Sequence, residues 1–248
     1  MKALITGASS GIGRDMAKYL SKLGYDLVIV ARRENLLEEL KKEITTNCEI
    51  EVRDISKIEN CRILFEKYKD VDILINNAGF GAFGEFWETD LEKDLNMLNT
   101  NVIAVHVLTR LFVEEMQKRN SGKILNVASI AGFMSGPFMA EYYATKSYVI
   151  ELSLAIREEL EKTKSKVQIS VLCPGPVQTN FNKVANVKFS TIGLTSDYAA
   201  KYAINQFLKG KDIIIPGISI KLLYFINKIL PRKWMRTFAY QRQTARRK

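Results

Sequence analysis

The feature that most constrains this chain is a repeated order of short apolar run, tight turn and helical pattern, introduced by TGASSGIG at residues 6–13. Residues 3–5 form the first apolar run, residues 12–23 carry apolar side chains at helical spacing, and Gly24 suits the C-cap of that helix. Residues 27–30 are continuously apolar, as in a parallel strand buried on both faces. Residues 34–43 read as an amphipathic helix. Residues 50–52, 73–75, 124–127, 167–172 and 213–215 read as further strands, and longer helical patterns cover 91–119, 140–162 and 196–208. Strands alternating with helices of this length predict an α/β chain with one parallel sheet and right-handed crossovers.

Gly7, Gly11 and Gly13 fall at the first strand-to-helix turn. Three glycines alone also occur in plain tight turns. Here a strand precedes and a helix follows, so a side-chain-free backbone can approach a pyrophosphate at a helix N-terminus. This predicts a Rossmann-type doubly wound sheet that binds a dinucleotide. The end of the second strand bears on which one. An NAD site expects a carboxylate there for the ribose 2′-hydroxyl. This chain has Ala31, Arg32 and Arg33 instead. Guanidinium groups suit a 2′-phosphate, so NADP(H) is the expectation; the alternative is two solvated arginines at a strand end.

Bulk properties narrow the class. No repeat, low-complexity tract or linker divides the 248 residues, so one domain over 1–217 is expected. No apolar run reaches the roughly 18 residues of a membrane span, and the first strand begins too early to leave room for a signal peptide. Cys48, Cys61 and Cys173 are odd in number and lack a CxxC spacing, which argues against disulfides or a metal site and for a cytoplasmic chain with cysteines as small core residues. The net charge of +10 is concentrated at the end: residues 213–248 hold nine Lys or Arg and no acid, leaving the rest about neutral.

Further stretches follow in order: NNAG at 76–79, NTNV at 99–102, NVASIAG at 126–132, Tyr142-x-x-x-Lys146 and PGPVQT at 174–179. Together with TGASSGIG they resemble the short-chain dehydrogenase/reductase family over roughly residues 2–215. NNAGFGAFGEF and LCPGPVQTNF look most like its bacterial DltE-like subgroup. The resemblance implies an oxidoreductase in which Tyr142 is the proton donor and acceptor. Tyr142 has a lysine four places on and a serine thirteen places back; Tyr143 has Ser147 four places on. Positions i and i+4 share a helix face, and an ammonium there favours the phenolate of a group that otherwise titrates near pH 10. Ser129 then bonds the substrate oxygen, Lys146 bridges the nicotinamide ribose, and Asn101 holds a relay water. By the same resemblance the turn residues Gly7, Ser9, Ser10, Gly11, Ile12 and Gly13 cradle the cofactor with Arg32 and Arg33. Asp54 accepts from the adenine amine beside Ile55. Asn77, Ala78 and Gly79 line the cofactor, Pro174, Gly175 and Val177 shape the nicotinamide pocket, and Thr179 binds carboxamide or phosphate.

Other residues get blander readings. His106, within an apolar helix, is expected to be packed or at an interface, and Glu141 to be a solvated helix residue. Phe133, Met134, Phe138 and Met139 are read as substrate-pocket wall, with ordinary packing as the alternative. Residues 180–195 fall where the family has a mobile lid, and their apolar side chains suit a lipophilic substrate. The family's pairing through the helices of Asn101 and Tyr142 implies a homodimer, with a tetramer as the larger alternative. Residues 218–248 form a basic amphipathic extension: a helix with apolar positions 222, 225, 226, 229 and 230 opposite Lys221 and Lys228, an interruption at Pro231, a second short helix and a charged end. Docking with a solvated basic face, packing over the substrate entrance or at a subunit interface, peripheral membrane contact and an acidic carrier protein all stay open for it. No nucleic-acid-binding module is evident. The function expected is NADP(H)-dependent interconversion of a lipophilic ketone and its alcohol. The alternatives are a 3-oxoacyl-carrier-protein reductase and a non-catalytic NADP-sensing protein docked through its tail.

Overall fold

The computed structural model describes residues 1–179, 181 and 193–244. Its main sheet has seven strands, all parallel: β1 (Lys2–Thr6), β2 (Asp26–Ala31), β3 (Cys48–Val52), β4 (Ile73–Asn76), β5 (Lys123–Val127), β6 (Gln168–Leu172) and β9 (Ile213–Ile214), in the order β3-β2-β1-β4-β5-β6-β9. Strands β7 (Val177–Gln178) and β8 (Leu194–Thr195) form a separate two-stranded pair. The helices are α1 (Gly11–Lys22), α2 (Glu34–Glu43), α3 (Ile58–Tyr68), α4 (Leu91–Leu98), α5 (Ala104–Lys118), α6 (Ala140–Lys162), α7 (Ser196–Leu208), α8 (Ile218–Ile229) and α9 (Arg232–Thr244).

Successive residues of β1 explain the two layers. Ile5 faces Met16 and Leu20 of α1 and Phe207 of α7, whereas Leu4 faces Leu64 of α3 and Leu108 and Phe112 of α5. A strand apolar at three successive positions, 3–5, is thus covered on both sides. A third cluster joins Val149 and Ile150 of α6 to Val171, Cys173 and Tyr224, bringing α8 onto the end of the sheet. Strand β1 pairs with β2 on one side and β4 on the other, so the chain reverses direction across the sheet at β1 and β4. In open α/β sheets the crevice beyond the strand ends at such a point is where ligands bind.

Three local features depart from the sequence reading. Helix α3 is absent from it, because Ile58 and Ile63 are exposed and blur the apolar stripe that Cys61 and Leu64 bury. The long pattern at 91–119 is broken by a π-helical turn, Asn99–Ile103, which carries buried Asn101. The second helix of the tail, expected after Pro231 as a short one, is as long as the first, 13 residues against 12, and Leu230 before the proline is extended as its ring requires.

Candidate active site

A cleft of about 690 Å³ runs along the C-terminal strand ends, from the β1–α1 turn to α8 and α9. At the turn, Gly7 has φ +67 and Gly11 φ +58, a backbone region that favours glycine. A Cβ on Gly7 would lie 2.7 Å from Ala78 Cα, and one on Gly13 would lie 2.6 Å from the Gly7 carbonyl oxygen. Asn77 fixes the turn by donating from Nδ2 to the Thr6 and Gly7 carbonyls at 3.0 and 3.1 Å. The amides of Asn77 and Ala78 in turn donate to Thr6 Oγ1 at 3.0 and 3.1 Å. Ser10 is the N-cap of α1 but makes no side-chain cap bond, so the first amides of that helix keep their donors for another acceptor.

The Ser9 and Ser10 hydroxyls are held instead by Arg33, whose Nη2 donates to them at 2.8 and 3.0 Å. One guanidinium and two hydroxyls therefore converge beside the glycine turn, a donor set that fits a phosphate ester. Arg32 also reaches the cleft wall, and so does Arg53, which sequence reasoning missed. Asp54 lines the cleft with Ile55; its Oδ1 accepts from the Ser56 amide at 3.1 Å and hydroxyl at 2.8 Å, which orients the carboxylate. Ile12, Ala78, Gly79, Pro174, Gly175, Val177 and Thr179 also border the cleft. These residues fit a dinucleotide laid across the strand ends.

At the other end stand Ser129, Tyr142 and Lys146. Ser129 caps a 3-10 turn, accepting from the Ala131 amide at 3.2 Å, and its hydroxyl donates to the Pro174 carbonyl at 3.4 Å. Lys146 is buried; its Nζ donates to the Val127 carbonyl at 2.9 Å and lies 5.8 Å from the centre of the Tyr142 ring. Burial pulls its ammonium down to about 8. Burial also pushes the Tyr142 phenol up to about 12, against a hydrogen bond from Ser129 that acts the other way. The expected depression of the phenol is thus not produced by these side chains alone: loss of water outweighs the Ser129 bond.

Asn101 stands behind the cleft wall. Its Nδ2 donates to the Phe80 carbonyl at 2.8 Å and to Thr145 Oγ1 at 3.2 Å, while its Oδ1 accepts from the Phe80 amide at 3.1 Å. A Cβ added to Gly79 would meet both Asn101 Oδ1, at 3.0 Å, and Lys146 Nζ, at 3.3 Å, so these two groups flank the same glycine.

The adjacent tyrosines differ in their partners. Tyr143 OH accepts from Gln243 Nε2 of α9 at 3.1 Å, whereas the Tyr142 ring packs on Phe181, 5.2 Å between centres. Met134 and Met139 line the cleft as expected. Phe133 packs instead on Tyr224 of α8, and Phe138 on Phe83 and Tyr240. Of the placements left open for the tail, the structure has the one over the site entrance: Ile220, Leu223, Phe238 and Arg242 all border the cleft. Of the expected lid, residues 180 and 182–192 lie outside the described residues.

One blander expectation is corrected and a second is narrowed. Glu141 is half-buried, not solvated, and its carboxyl abuts that of buried Asp94. Burial first, and Asp94 second, push it up to about 7. His106 is exposed, so of its two expected placements the packed one falls and the interface one stays open; its Nδ1 is 2.7 Å from Tyr148 OH. Cys61 and Cys173 are buried, Cys48 is half-buried, and all three are free thiols.

A doubly wound parallel sheet with a glycine-turn crevice and a Ser–Tyr–Lys cluster at its far end defines a nucleotide-binding oxidoreductase. Comparison with known proteins agrees: the family model described as "short chain dehydrogenase" matches residues 1–189, and the chain belongs to this family. The "NADP-dependent 3-hydroxy acid dehydrogenase" of Schizosaccharomyces pombe is 33% identical over 232 residues, 86% of this chain and 88% of that protein. The human "Dehydrogenase/reductase SDR family member 7" is 32% identical over 222 residues, 84% of this chain but only 65% of that longer protein. Among solved structures, a short-chain dehydrogenase from Sphingobium yanoikuyae in complex with NADPH is 26% identical, with TM-score 0.82 and 91% of each chain covered. One from Burkholderia phymatum in complex with NAD is also 26% identical, with TM-score 0.81 and 90% of each chain covered. Among the described residues no helix is long and apolar enough to cross a membrane.

Proposed function

We propose that the protein is an NADP(H)-dependent carbonyl reductase or alcohol dehydrogenase acting on a lipophilic ketone or its secondary alcohol. The observation that carries this reading is the placement of Tyr142, with Ser129 and Lys146, in the same cleft as the glycine turn and the Arg33 fork. When bound, the nicotinamide cofactor supplies or accepts the hydride. Ser10, Arg33 and the α1 amides would hold its phosphates, and Lys146 its ribose. Tyr142, neutral at physiological pH, donates its phenolic proton to the substrate oxygen in the reductive direction and takes it back in the other. Ser129 holds that oxygen by a hydrogen bond. Phe181, Met139, Ile220 and Leu223 exclude water and favour an apolar substrate.

The test compares Tyr142→Phe with Tyr143→Phe in a ketone screen with NADPH. A positioned acid/base is worth about 10² to 10⁴ in rate, so Tyr142→Phe loses that factor while Tyr143→Phe keeps most activity. Equal turnover by both variants would sink the reading.

A second reading, a 3-oxoacyl-carrier-protein reductase, is favoured by Arg242, a cation at the cleft border where an acidic carrier would meet it. Preference for carrier-bound over free acyl ketones separates the two. We also read the protein as a homodimer through α4, α5 and α6, because Leu91, Leu95 and Leu98 leave an exposed apolar stripe on α4.

A further inference from the structure

The orientation of α8 is the reverse of what its pattern implies. Ile220, Leu223, Tyr224 and Asn227 turn inward: the first three pack in the core cluster beneath β6, and Asn227 Nδ2 donates to the Phe133 carbonyl. The stronger apolar stripe points out. Ile218 is 86% exposed, Leu222 60%, Phe225 58% and Ile229 82%. These positions, at i, i+4, i+7 and i+11, share one helix face. Trp234 of α9 extends the exposed apolar surface at 65%.

The charge around this surface has one sign. Helices α8 and α9 carry Lys221, Lys228, Arg232, Lys233, Arg236 and Arg242 and no Asp or Glu. Lys221 and Lys228 lie on the flank of α8 between its buried and exposed faces, each over a tyrosine ring, Tyr202 at 5.4 Å and Tyr224 at 4.6 Å. A second copy of the chain is a poor occupant. A two-fold contact presents the same patch on both subunits, so it would bring two wholly cationic rims together without a counter-charge. An anionic lipid surface complements both properties. Its headgroups meet the cations, and its acyl boundary takes up an apolar helix face lying in the interface plane, with tryptophan at the headgroup level.

We propose that α8 and α9 form a peripheral docking surface for anionic membranes. It inserts the Ile218–Leu222–Phe225–Ile229 stripe into the headgroup–acyl boundary and sets the cationic rim against the lipid phosphates. The inward face of α8 supplies Ile220 and Leu223 to the cleft. Under the carbonyl-reductase reading, on which this sentence alone rests, docking places the cleft beside the phase where a lipophilic ketone is dissolved.

The experiment is vesicle co-sedimentation of the full chain with phosphatidylcholine alone and with equimolar phosphatidylcholine and phosphatidylglycerol. It is run for wild type, Leu222→Gln/Phe225→Gln and Lys233→Glu/Arg236→Glu. All four positions are exposed and outside the cleft, and circular dichroism with thermal unfolding checks that the variants fold. The expected result is binding to the anionic vesicles that raised salt weakens. Lys233→Glu/Arg236→Glu should bind at least about thirty-fold more weakly, given that each of the two lost cations contributes about 1 kcal/mol near the surface, and Leu222→Gln/Phe225→Gln on the order of tenfold more weakly through lost apolar burial. Folded wild-type protein that stays in the supernatant would overturn the proposal. So would binding to phosphatidylcholine alone that the charge variant leaves unchanged. A drop in mass by light scattering without vesicles, in Leu222→Gln/Phe225→Gln only, would assign the stripe to a second copy and overturn it as well. None of these readouts needs a substrate or a cofactor.

Discussion

Arg33 gives the sharpest test of cofactor choice. Its guanidinium is clamped over Ser9 and Ser10 at 2.8 and 3.0 Å, so the fork is oriented before any ligand arrives. A phosphate that displaces these hydroxyls, or shares them, gains charge-assisted bonds of about 1.5–3 kcal/mol that a plain ribose hydroxyl cannot make. Replacing Arg33 by Ala removes them. Because 1.4 kcal/mol is a factor of ten, NADPH should bind about 10- to 150-fold more weakly, with NADH little changed. Arg33→Asp should go further and favour NADH, since a carboxylate there repels a 2′-phosphate and can accept from a 2′-hydroxyl. Cofactor fluorescence titrations of both nucleotides against wild type, Arg33→Ala and Arg32→Ala measure this. Equal weakening of both nucleotides by Arg33→Ala would refute the reasoning, because it would make Arg33 a brace for the glycine turn. A preference lost only in Arg32→Ala would refute it differently, by moving the phosphate to the outer arginine.

The remaining predictions concern packing and pH. Gly13→Ala would place a Cβ 2.6 Å from the Gly7 carbonyl oxygen; it should cost about 1–3 kcal/mol in denaturant unfolding and weaken nucleotide binding as the turn shifts. Glu141 is raised from its ordinary 4.5 to about 7, so its contribution is fully present below pH 4.5 and is lost as pH rises through 7. The full displacement would amount to about 3 kcal/mol, which partial exposure reduces to about 1. Glu141→Gln should therefore raise Tm by about 2–4 °C at pH 8 and by less at pH 5, and an equal shift at both values would exclude the Asp94 pair as its cause.

The parallel sheet and the turn were legible in the sequence because both are local patterns. Short, β-branched apolar runs such as residues 27–30, flanked by turn signals, fit strands covered on two faces, and the strand–glycine–helix order leaves few alternatives. The i+4 spacing that singles out Tyr142 over Tyr143 has its counterpart in space, where Lys146 Nζ lies 5.8 Å from the Tyr142 ring centre. What the sequence did not carry is context that crosses the chain. Glu141 looks solvated until α4 brings Asp94 against it, and no spacing rule links positions so far apart. Arg32 and Arg33 are equivalent as letters; the strand end decides that Arg33 folds back over Ser9 and Ser10. Phenol acidity is the same kind of quantity. A lysine one helical turn away suggests depression, but the depth of the cleft, which only the packed structure has, pushes Tyr142 the other way.

The tail shows the same limit with a larger consequence. Periodicity identifies a helix face, not the medium that face meets. Helix α8 is apolar on two faces and cationic on the flank between them, so its pattern fits either face inward. Gly175 helps decide the outcome. A Cβ there would lie 2.5 Å from Ile220 Cδ1, so the missing side chain lets α8 seat Ile220 and Leu223 against the loop that borders the cleft. The face left over is the more exposed and the more apolar. The residues that close the site and the residues that seek a second apolar phase are therefore opposite sides of one helix. A force that tilts α8 at its outer face must act on Gly175 at its inner one. Changes at the outer stripe should consequently be felt in substrate binding before they are felt at the glycine turn, which α8 does not touch.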